Sequence, residues 1–219
     1  MEEVTGRRPI KARGKRWASF LATTCRKVGL QPNAISLLSV FFAAISAWAL
    51  LKAPESSVAM STFWFVIAAV CVQLRLLCNL LDGMVAIEGG LRTPNGELYN
   101  ELPDRVADVV ILLGAGYAVS VTEWAVELAW LASVFAVSTA YVRALGMSVG
   151  APAAFHGPMA KPHRMALMTA TFLVCAVTHG QGFSGDVMRA ALAVLCVGCV
   201  VTLVRRTLAI SRWMKAQGV

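Results

Sequence analysis

The chain has 219 residues, of which 58% are hydrophobic, and it carries a formal net charge of +8 at pH 7 with a mean hydropathy of +0.66. Because soluble domains contain about 45–50% apolar residues, this composition excludes an ordinary soluble domain and indicates an integral membrane protein. The positive residues lie mainly between and outside the apolar stretches. They therefore indicate membrane orientation rather than a surface for nucleic acid, which we exclude as a partner.

The first 33 residues are predicted to form a cytosolic basic segment with a juxtamembrane amphipathic helix. Residues 14–29 mix basic side chains with four larger apolar ones: Trp17, Phe20, Leu21 and Val28. This mixture is typical of a helix that lies on an anionic leaflet. A solvated basic tail with incidental apolar residues is the alternative. Gly29 predicts the end of the helix, and Pro32-Asn33 predicts a turn into the first span.

Residues 34–205 are predicted to form a transmembrane domain of six helices. A helix needs about 20 apolar residues to cross the hydrocarbon core, and no part of the sequence alternates as a strand would. The predicted spans are 34–51, 58–81, 105–121, 128–147, 165–180 and 187–204. The predicted fold class is therefore an all-α integral membrane protein with six transmembrane helices and an N-terminal interfacial amphipathic helix.

Lysine and arginine predict the orientation of these spans. They concentrate before the first span, after the last, and in the second-to-third and fourth-to-fifth connections, whereas the other connections hold only Lys52 and Arg189. Positive residues favour the cytosolic side. We therefore expect both termini in the cytosol, with residues 206–219 forming a cytosolic basic tail. The expected location is the inner membrane of a bacterium, with the active site facing the cytosol.

Polar residues at the end of the second span and the start of the third form the candidate site. Two helix faces carry them at spacings of three to four residues: Asn79, Asp82 and Ala86 on the first, and Asn100, Asp104 and Asp108 on the second. Charged groups inside a membrane are costly, so their presence usually marks function. Oxygen ligands at one depth predict a site for Mg²⁺ or Mn²⁺. Solvated helix caps are the alternative interpretation.

The same residues carry a resemblance to a known family. The stretch Asn79-x2-Asp82-Gly83-x2-Ala86-x9-Gly96-x3-Asn100-x3-Asp104 resembles the signature of the CDP-alcohol phosphotransferases, D-x2-D-G-x2-A-R-x8-G-x3-D-x3-D. Every spacing agrees. Three identities differ, because Asn79 and Asn100 replace aspartates and Ile87 replaces the arginine. The upstream segment GLQPNAISLLS is also similar to the segment that leads into the first span of that family.

The resemblance implies an enzyme of phospholipid biosynthesis. Such an enzyme transfers a phosphatidyl group from CDP-diacylglycerol to a small alcohol and releases CMP. Catalytic and metal-binding roles are implied for Asp82 and Asp104, with Asp104 activating the acceptor hydroxyl. Metal binding is also implied for Asn79 and Asn100. CDP binding is implied for one further set: Asn79, Asp82, Gly83, Ala86 and Gly96.

The asparagines leave this site poorer in charge than the family pattern. An amide supplies one carbonyl oxygen and no charge, so two carboxylates stand where the signature has four. Asp108 lies one turn beyond Asp104 on the same face, and we therefore include it among the predicted metal ligands. Glu97 is a further candidate. Since Ile87 cannot bind phosphate as an arginine would, three arginines are candidates for that role: Arg75, Arg92 and Arg105.

The connection after the fourth span is the predicted acceptor site. The resemblance implies a basic pocket there for acceptors that carry phosphate, and the candidates are Arg143, Lys161 and Arg164. Arginine can hold a phosphate through two parallel hydrogen bonds, whereas lysine acts as a point charge. The alternative is that these residues only orient the spans. We interpret His156 and His163 as surface histidines.

Several alternatives stay open at this stage. The chain could be a catalytically impaired member that binds CDP-lipid or serves as a membrane partner protein. A small transporter is disfavoured, because no inverted repeat is evident and the acidic residues lie near one face. The expected partners are CDP-diacylglycerol, a small alcohol, membrane lipids and a second copy of the chain, since the family forms dimers. Glycerol 3-phosphate, inositol phosphate, serine and choline are all possible acceptors.

Overall fold

A computed structural model of the chain describes residues 14–91 and 94–217. Within these ranges the regular structure is entirely helical, which confirms the all-α part of the predicted fold class. The helices are α1 Arg16–Lys27, α2 Pro32–Lys52, α3 Val58–Glu88, α4 Gly96–Ala118, α5 Ala125–Ser148, α6 Lys161–Thr178 and α7 Ser184–Ala216. The basic residues before Gly14, together with Arg92, lie outside the described residues.

Helix α4 occupies the centre of the bundle. It packs along α2 on one side and α5 on the other, and it also touches α3 and α7, while α6 lies against α3 and α7. Two glycines allow the close approach. A Cβ at Gly114 would lie 2.7 Å from the Cβ of Ala47 on α2, and one at Gly116 would lie 2.3 Å from that of Ala129 on α5. Small residues at such contacts are typical of helices that associate in a membrane.

In the part of the chain that the structure describes, four helices are long and apolar enough to cross a membrane: Pro32–Lys52, Val58–Ile87, Ala125–Ser148 and Ser184–Ala216. Many of their large apolar side chains are exposed on the outside of the bundle, among them Phe41, Phe63, Trp130 and Val197. Exposure of so much apolar surface to water would be unfavourable, so these faces fit contact with lipid. The two other long helices, α4 and α6, fall outside this group, because their N-terminal turns are rich in charged residues.

The helix boundaries differ from the predicted spans mainly at the end of α3, the start of α4 and the end of α7. α3 continues beyond residue 81 to Glu88, and α4 begins at Gly96 rather than at 105. The predicted span limits followed hydropathy, whereas hydrogen bonding continues through polar residues as long as their side chains do not interrupt it. α7 likewise continues to Ala216. The described part of the predicted tail, residues 206–217, is therefore mostly helical.

The short helix α1 lies against the C-terminal half of α3. Ala18 and Ala22 are buried in this contact, while Trp17 and Phe20 are exposed on the opposite face. Gly29 follows in the left-handed region, with φ +80°, where glycine is favoured because it lacks a Cβ. The predicted end of the helix near Gly29 is therefore confirmed. The turn predicted at Pro32-Asn33 is wrong, because these residues begin α2, where proline is favoured since the first helical N–H needs no partner.

Candidate active site

The candidate site lies where the last turns of α3 face the first turns of α4. Asn79 on α3 and Asp104 on α4 are in direct contact, because the Asn79 amide Nδ2 donates to Asp104 Oδ1 at 2.7 Å. Asp82 follows Asn79 by one turn and lies close enough to Asp104 for the two charges to act on each other. Three of the predicted metal-binding residues are thus brought together across two helices.

Asp82 is almost fully buried, with 4% of its surface exposed. Ser36 Oγ on α2 donates to its Oδ2 at 2.7 Å, and the backbone N–H of Gly83 donates to its Oδ1. Hydrogen bonds of this kind fix the orientation of a carboxylate before it binds anything else. Ser36 was missed from the sequence. Its only signal there was its position in the segment that is similar to the family's first span.

Asp104 is surrounded by donors from three other positions. Lys161 Nζ at the start of α6 forms an ion pair with its Oδ2, and Arg75 Nη2 lies 3.3 Å from its Oδ1. Arg105 Nη1 lies 3.8 Å from Oδ2. With the Asn79 amide on Oδ1, both carboxylate oxygens have partners. The candidate base is therefore a buried carboxylate whose charge is balanced by nearby cations.

Asp108 has a different environment from the one that its spacing predicted. It is 1% exposed, and each oxygen has its own arginine: Arg75 Nη2 bonds Oδ1 and Arg164 Nη2 bonds Oδ2, both at 2.6 Å. Arg164 also donates to Thr139 Oγ1 and to the carbonyl of Met159. These contacts tie α4 to α3, α5 and α6, so the geometry is that of a structural cross-link.

The arginines of this cross-link do not form an open phosphate site. Arg75, one candidate to bind phosphate in place of an arginine at Ile87, is completely buried, and Arg164, a predicted acceptor-binding residue, is 3% exposed. In the described part of the chain, Arg75 Nε, Arg75 Nη1 and Arg164 Nε have no hydrogen-bond partner. Neither guanidinium group can reach a soluble acceptor without a change in packing.

The two other predicted acceptor-binding residues are more accessible. Arg143 Nη2 contacts both carboxylate oxygens of Glu101 at 2.6 Å, and its guanidinium lies 5.4 Å from the centre of the Phe155 ring. Lys161 forms its ion pair with Asp104 instead, and Arg105, which contacts both Asp104 and Glu101, connects the two groups. Glu101 was not predicted as a site residue. Its signal in the sequence was its i, i+4 spacing to Arg105, with which it also pairs.

The remaining predicted residues lie along the rim of this region. Gly83 and Ala86 are half-buried and continue the Asn79–Asp82 face toward the end of α3, and Gly96 begins α4. Asn100 is exposed. Among the hydrogen bonds of the described residues, none joins it to Asn79, Asp82 or Asp104. Asn100 lies one turn before Asp104 on α4, and its side chain is open to solvent.

Comparison with known proteins identifies the class to which this helical bundle and site belong. The family model for CDP-alcohol phosphatidyltransferase matches residues 30–214, and the chain belongs to that family. A phosphatidylinositol phosphate synthase from Streptomyces avermitilis is 31% identical over 202 residues, which cover 88% of this chain and 77% of that protein.

Solved structures agree with this fold. The phosphatidylinositol phosphate synthase of Mycobacterium tuberculosis with CDP-DAG bound has a TM-score of 0.73 and 19% sequence identity, over 90% of this chain and 94% of that one. The same enzyme in complex with manganese and citrate has a TM-score of 0.73 and 19% identity, over 88% of each chain. At this identity the likeness concerns the fold.

Family membership confirms the predicted chemistry at the level of the class. The chain is a membrane transferase of phospholipid biosynthesis that joins the phosphatidyl group of a CDP-linked lipid to an alcohol. The predicted cofactor agrees with a family that uses Mg²⁺ or Mn²⁺.

Proposed function

We propose that this chain transfers the phosphatidyl group of CDP-diacylglycerol to a phosphate-bearing alcohol, with inositol phosphate as the first candidate. The observation that carries the proposal is the contact of Asn79 with Asp104, which lies close to Asp82 and pairs with Lys161. Arg143 joins this group through Glu101 and Arg105. This arrangement sets oxygen ligands against cations at one end of the bundle. The relative from Streptomyces avermitilis, a phosphatidylinositol phosphate synthase, supports the choice of acceptor.

The proposed cation ligands are Asp82, Asp104 and the carbonyl oxygen of Asn79. All are oxygen donors, as Mg²⁺ and Mn²⁺ prefer, and two carboxylates match the charge of one divalent ion. Asp108 is left out of this set because arginines engage both of its oxygens, and Asn100 because it is exposed. When bound, the cation supplies charge neutralisation for the diphosphate and the CMP leaving group.

The proposed reaction is an attack by the acceptor hydroxyl oxygen on the β-phosphorus of the CDP-lipid. A new P–O bond to the alcohol forms, the bond to CMP breaks, and Asp104 accepts the hydroxyl proton directly or through water. Gly83, Ala86 and Gly96 have small side chains or none, which allows the diphosphate to approach the backbone of α3 and α4. Arg143 and Lys161 orient the phosphate of the acceptor.

The proposed setting is the inner membrane of a bacterium, with six spans, the site facing the cytosol and the donor's acyl chains within the bilayer. The distribution of Lys and Arg supports this orientation. α1 would lie on the cytosolic leaflet, since Trp17 and Phe20 are exposed beside Arg26 and Lys27. A homodimer is part of the proposal and is tested by native mass measurement in mild detergent.

The proposed acceptor is tested by the release of CMP from CDP-diacylglycerol with purified protein and Mg²⁺ or Mn²⁺. We expect inositol phosphate to support the fastest release, glycerol 3-phosphate slower release, and serine and choline the slowest. Fastest release with serine or choline would show that the acceptor need not carry phosphate. No release with any of the four would contradict the proposed function.

A further inference from the structure

Glu101 occupies the position where a phosphate-bearing acceptor would meet the cations of the site. Both of its carboxylate oxygens lie 2.6 Å from Arg143 Nη2, and Arg105 Nη2 also bonds Glu101 Oε2. A planar carboxylate between two guanidinium groups is the geometry in which proteins hold phosphate oxygens. Glu101 lies outside the signature positions, and the proposed reaction does not use it.

Exposure shows which member of this cluster a solute can replace. The side chain of Glu101 is 44% exposed, whereas those of Arg143 and Arg105 are 17% and 20% exposed. The guanidinium groups of Arg143 and Arg105 are therefore half-buried, and the Glu101 carboxylate lies on their solvent side. The aromatic ring of Phe155 lies against Arg143 on another side and holds the guanidinium in place after the carboxylate has left.

The cluster is also next to the proposed base. Arg105 pairs with Glu101 and lies 3.8 Å from Asp104 Oδ2, so one arginine bridges the two carboxylates. An anion that replaces Glu101 would be held beside Asp104, which has to accept a proton from the same acceptor molecule. Glu101 therefore lies over the acceptor site rather than on a remote surface.

We infer that Glu101 is a tethered anion that occupies the phosphate position of the acceptor site and must be displaced before an acceptor can bind. This inference rests on the proposed function. A carboxylate carries one negative charge and a phosphomonoester about 1.5 to 2 at pH 7, so the exchange favours phosphate over acceptors with weaker charge. Displacement of Glu101 lowers the affinity by the same factor for every acceptor that binds these arginines. Glu101 is thus a specificity-determining residue, because only a strongly charged group such as a phosphomonoester binds the arginines tightly enough to displace it.

The test measures binding of inorganic phosphate and of inositol phosphate to the purified full chain by calorimetry, together with kcat and KM for transfer. We expect Glu101→Gln to tighten phosphate binding roughly tenfold and to lower the KM of the acceptor by a similar factor, because Arg143 loses its internal partner. We expect Glu101→Asp, which keeps the charge on a shorter side chain, to lie between wild type and Glu101→Gln.

Two further variants separate the effect of the Glu101–Arg143 ion pair from the long-range effect of removing one negative charge. Glu97→Gln removes the same charge from an exposed position one turn earlier on α4, and we expect it to change phosphate affinity less than twofold. In an Arg143→Gln background the effect of Glu101→Gln should largely disappear, because Glu101 acts through that arginine. Unchanged or weaker phosphate binding in Glu101→Gln would overturn the inference, and so would an equal effect of Glu97→Gln.

The same measurements distinguish failure of this inference from failure of the proposed function. If Arg143→Gln weakens phosphate binding while Glu101→Gln leaves it unchanged, the acceptor site stands and the role of Glu101 is wrong. If Arg143→Gln binds phosphate as wild type does, the proposed acceptor site is wrong and the inference falls with it.

Discussion

Asp104 and Asp108 are one helical turn apart on the same face of α4 and both contact Arg75 Nη2, yet their other partners differ. Asp104 pairs with a lysine and an amide, whereas Asp108 is enclosed by two arginines. A lysine ammonium can withdraw on a flexible stem, but two buried guanidinium groups cannot leave without unpacking. Charge and spacing alone therefore do not separate the proposed reactive carboxylate, Asp104, from the proposed structural one, Asp108. The difference in their partners is the basis of that proposal.

The largest effect on activity should come from substitution of the proposed reactive carboxylates, Asp82 and Asp104. We expect Asp82→Ala and Asp104→Ala each to lower CMP release by about 10³-fold or more, since each removes a proposed cation ligand and Asp104 is also the proposed base. The measurement is turnover at saturating Mg²⁺ or Mn²⁺. Asp186→Ala, in an exposed ion pair at the start of α7, is the control. Near-normal turnover in either site variant would contradict the assignment.

Substitution of Asp108 should lower the stability of the protein instead. Asp108→Ala removes the counter-charge of the buried Arg164 and the closer of the two carboxylates at Arg75. This change costs about 3–5 kcal/mol and lowers the thermal midpoint in detergent by about 10 °C. Asp108→Asn keeps the shape and should be milder, with divalent affinity within about twofold of wild type. Calorimetry with CDP present checks this point. A strong loss of metal affinity in stably folded Asp108→Asn would mean that Asp108 is a ligand after all.

Substitution of Asn79 and Asn100 tests which of the two belongs to the proposed cation site. Asn79→Asp adds a charge next to Asp104, and attraction between unit charges at 4 Å is about 4 kcal/mol at an effective dielectric of 20, before desolvation. We expect a net gain of about tenfold in divalent affinity. Asn100→Asp adds its charge at an exposed position, where solvent screens it, so the gain should be less than threefold. Equal gains from both would mean that Asn100 joins the ligand set.

The smallest effect should come from the serine behind Asp82. Ser36→Ala removes one hydrogen bond to a carboxylate, worth about 1 kcal/mol, and should lower turnover about fivefold with little change in stability. Ser138→Ala on α5, where the hydroxyl is exposed and bonds its own helix, is the matched control. An unchanged rate in Ser36→Ala would show that Asp82 is held firmly enough by its own helix.

Much of the fold followed from the sequence, because hydropathy and helical periodicity are local properties. The all-helical class, the family and the pairing of the Asn79–Asp82 face with Asp104 were predicted and found. Helices α3 and α4 extend beyond the predicted spans, since hydropathy indicates which residues can contact lipid and not where helical hydrogen bonding stops. The span count of six and the ligand roles stay predictions.

The partners of the charged residues could not be predicted from one sequence. Arg75 precedes Asp108 by 33 positions and Arg164 follows it by 56, so their meeting depends on how three helices pack. Nothing in the local pattern distinguishes Asp108, which they enclose, from Asp104. Glu101 was overlooked for a similar reason, because its partner Arg143 lies on another helix and only Arg105 was visible from the spacing.

The contact of Gly114 with Ala47 has a consequence for the precision of the site. The site residues of α4 lie about ten positions away along a helix, or about 15 Å, and the helix transmits any tilt at one end to the other. A single methyl group at Gly114 would meet Ala47 at 2.7 Å and push α4 away from α2. The absence of a side chain at Gly114 therefore helps to set the distance between Asp82 and Asp104, although Gly114 is far from both.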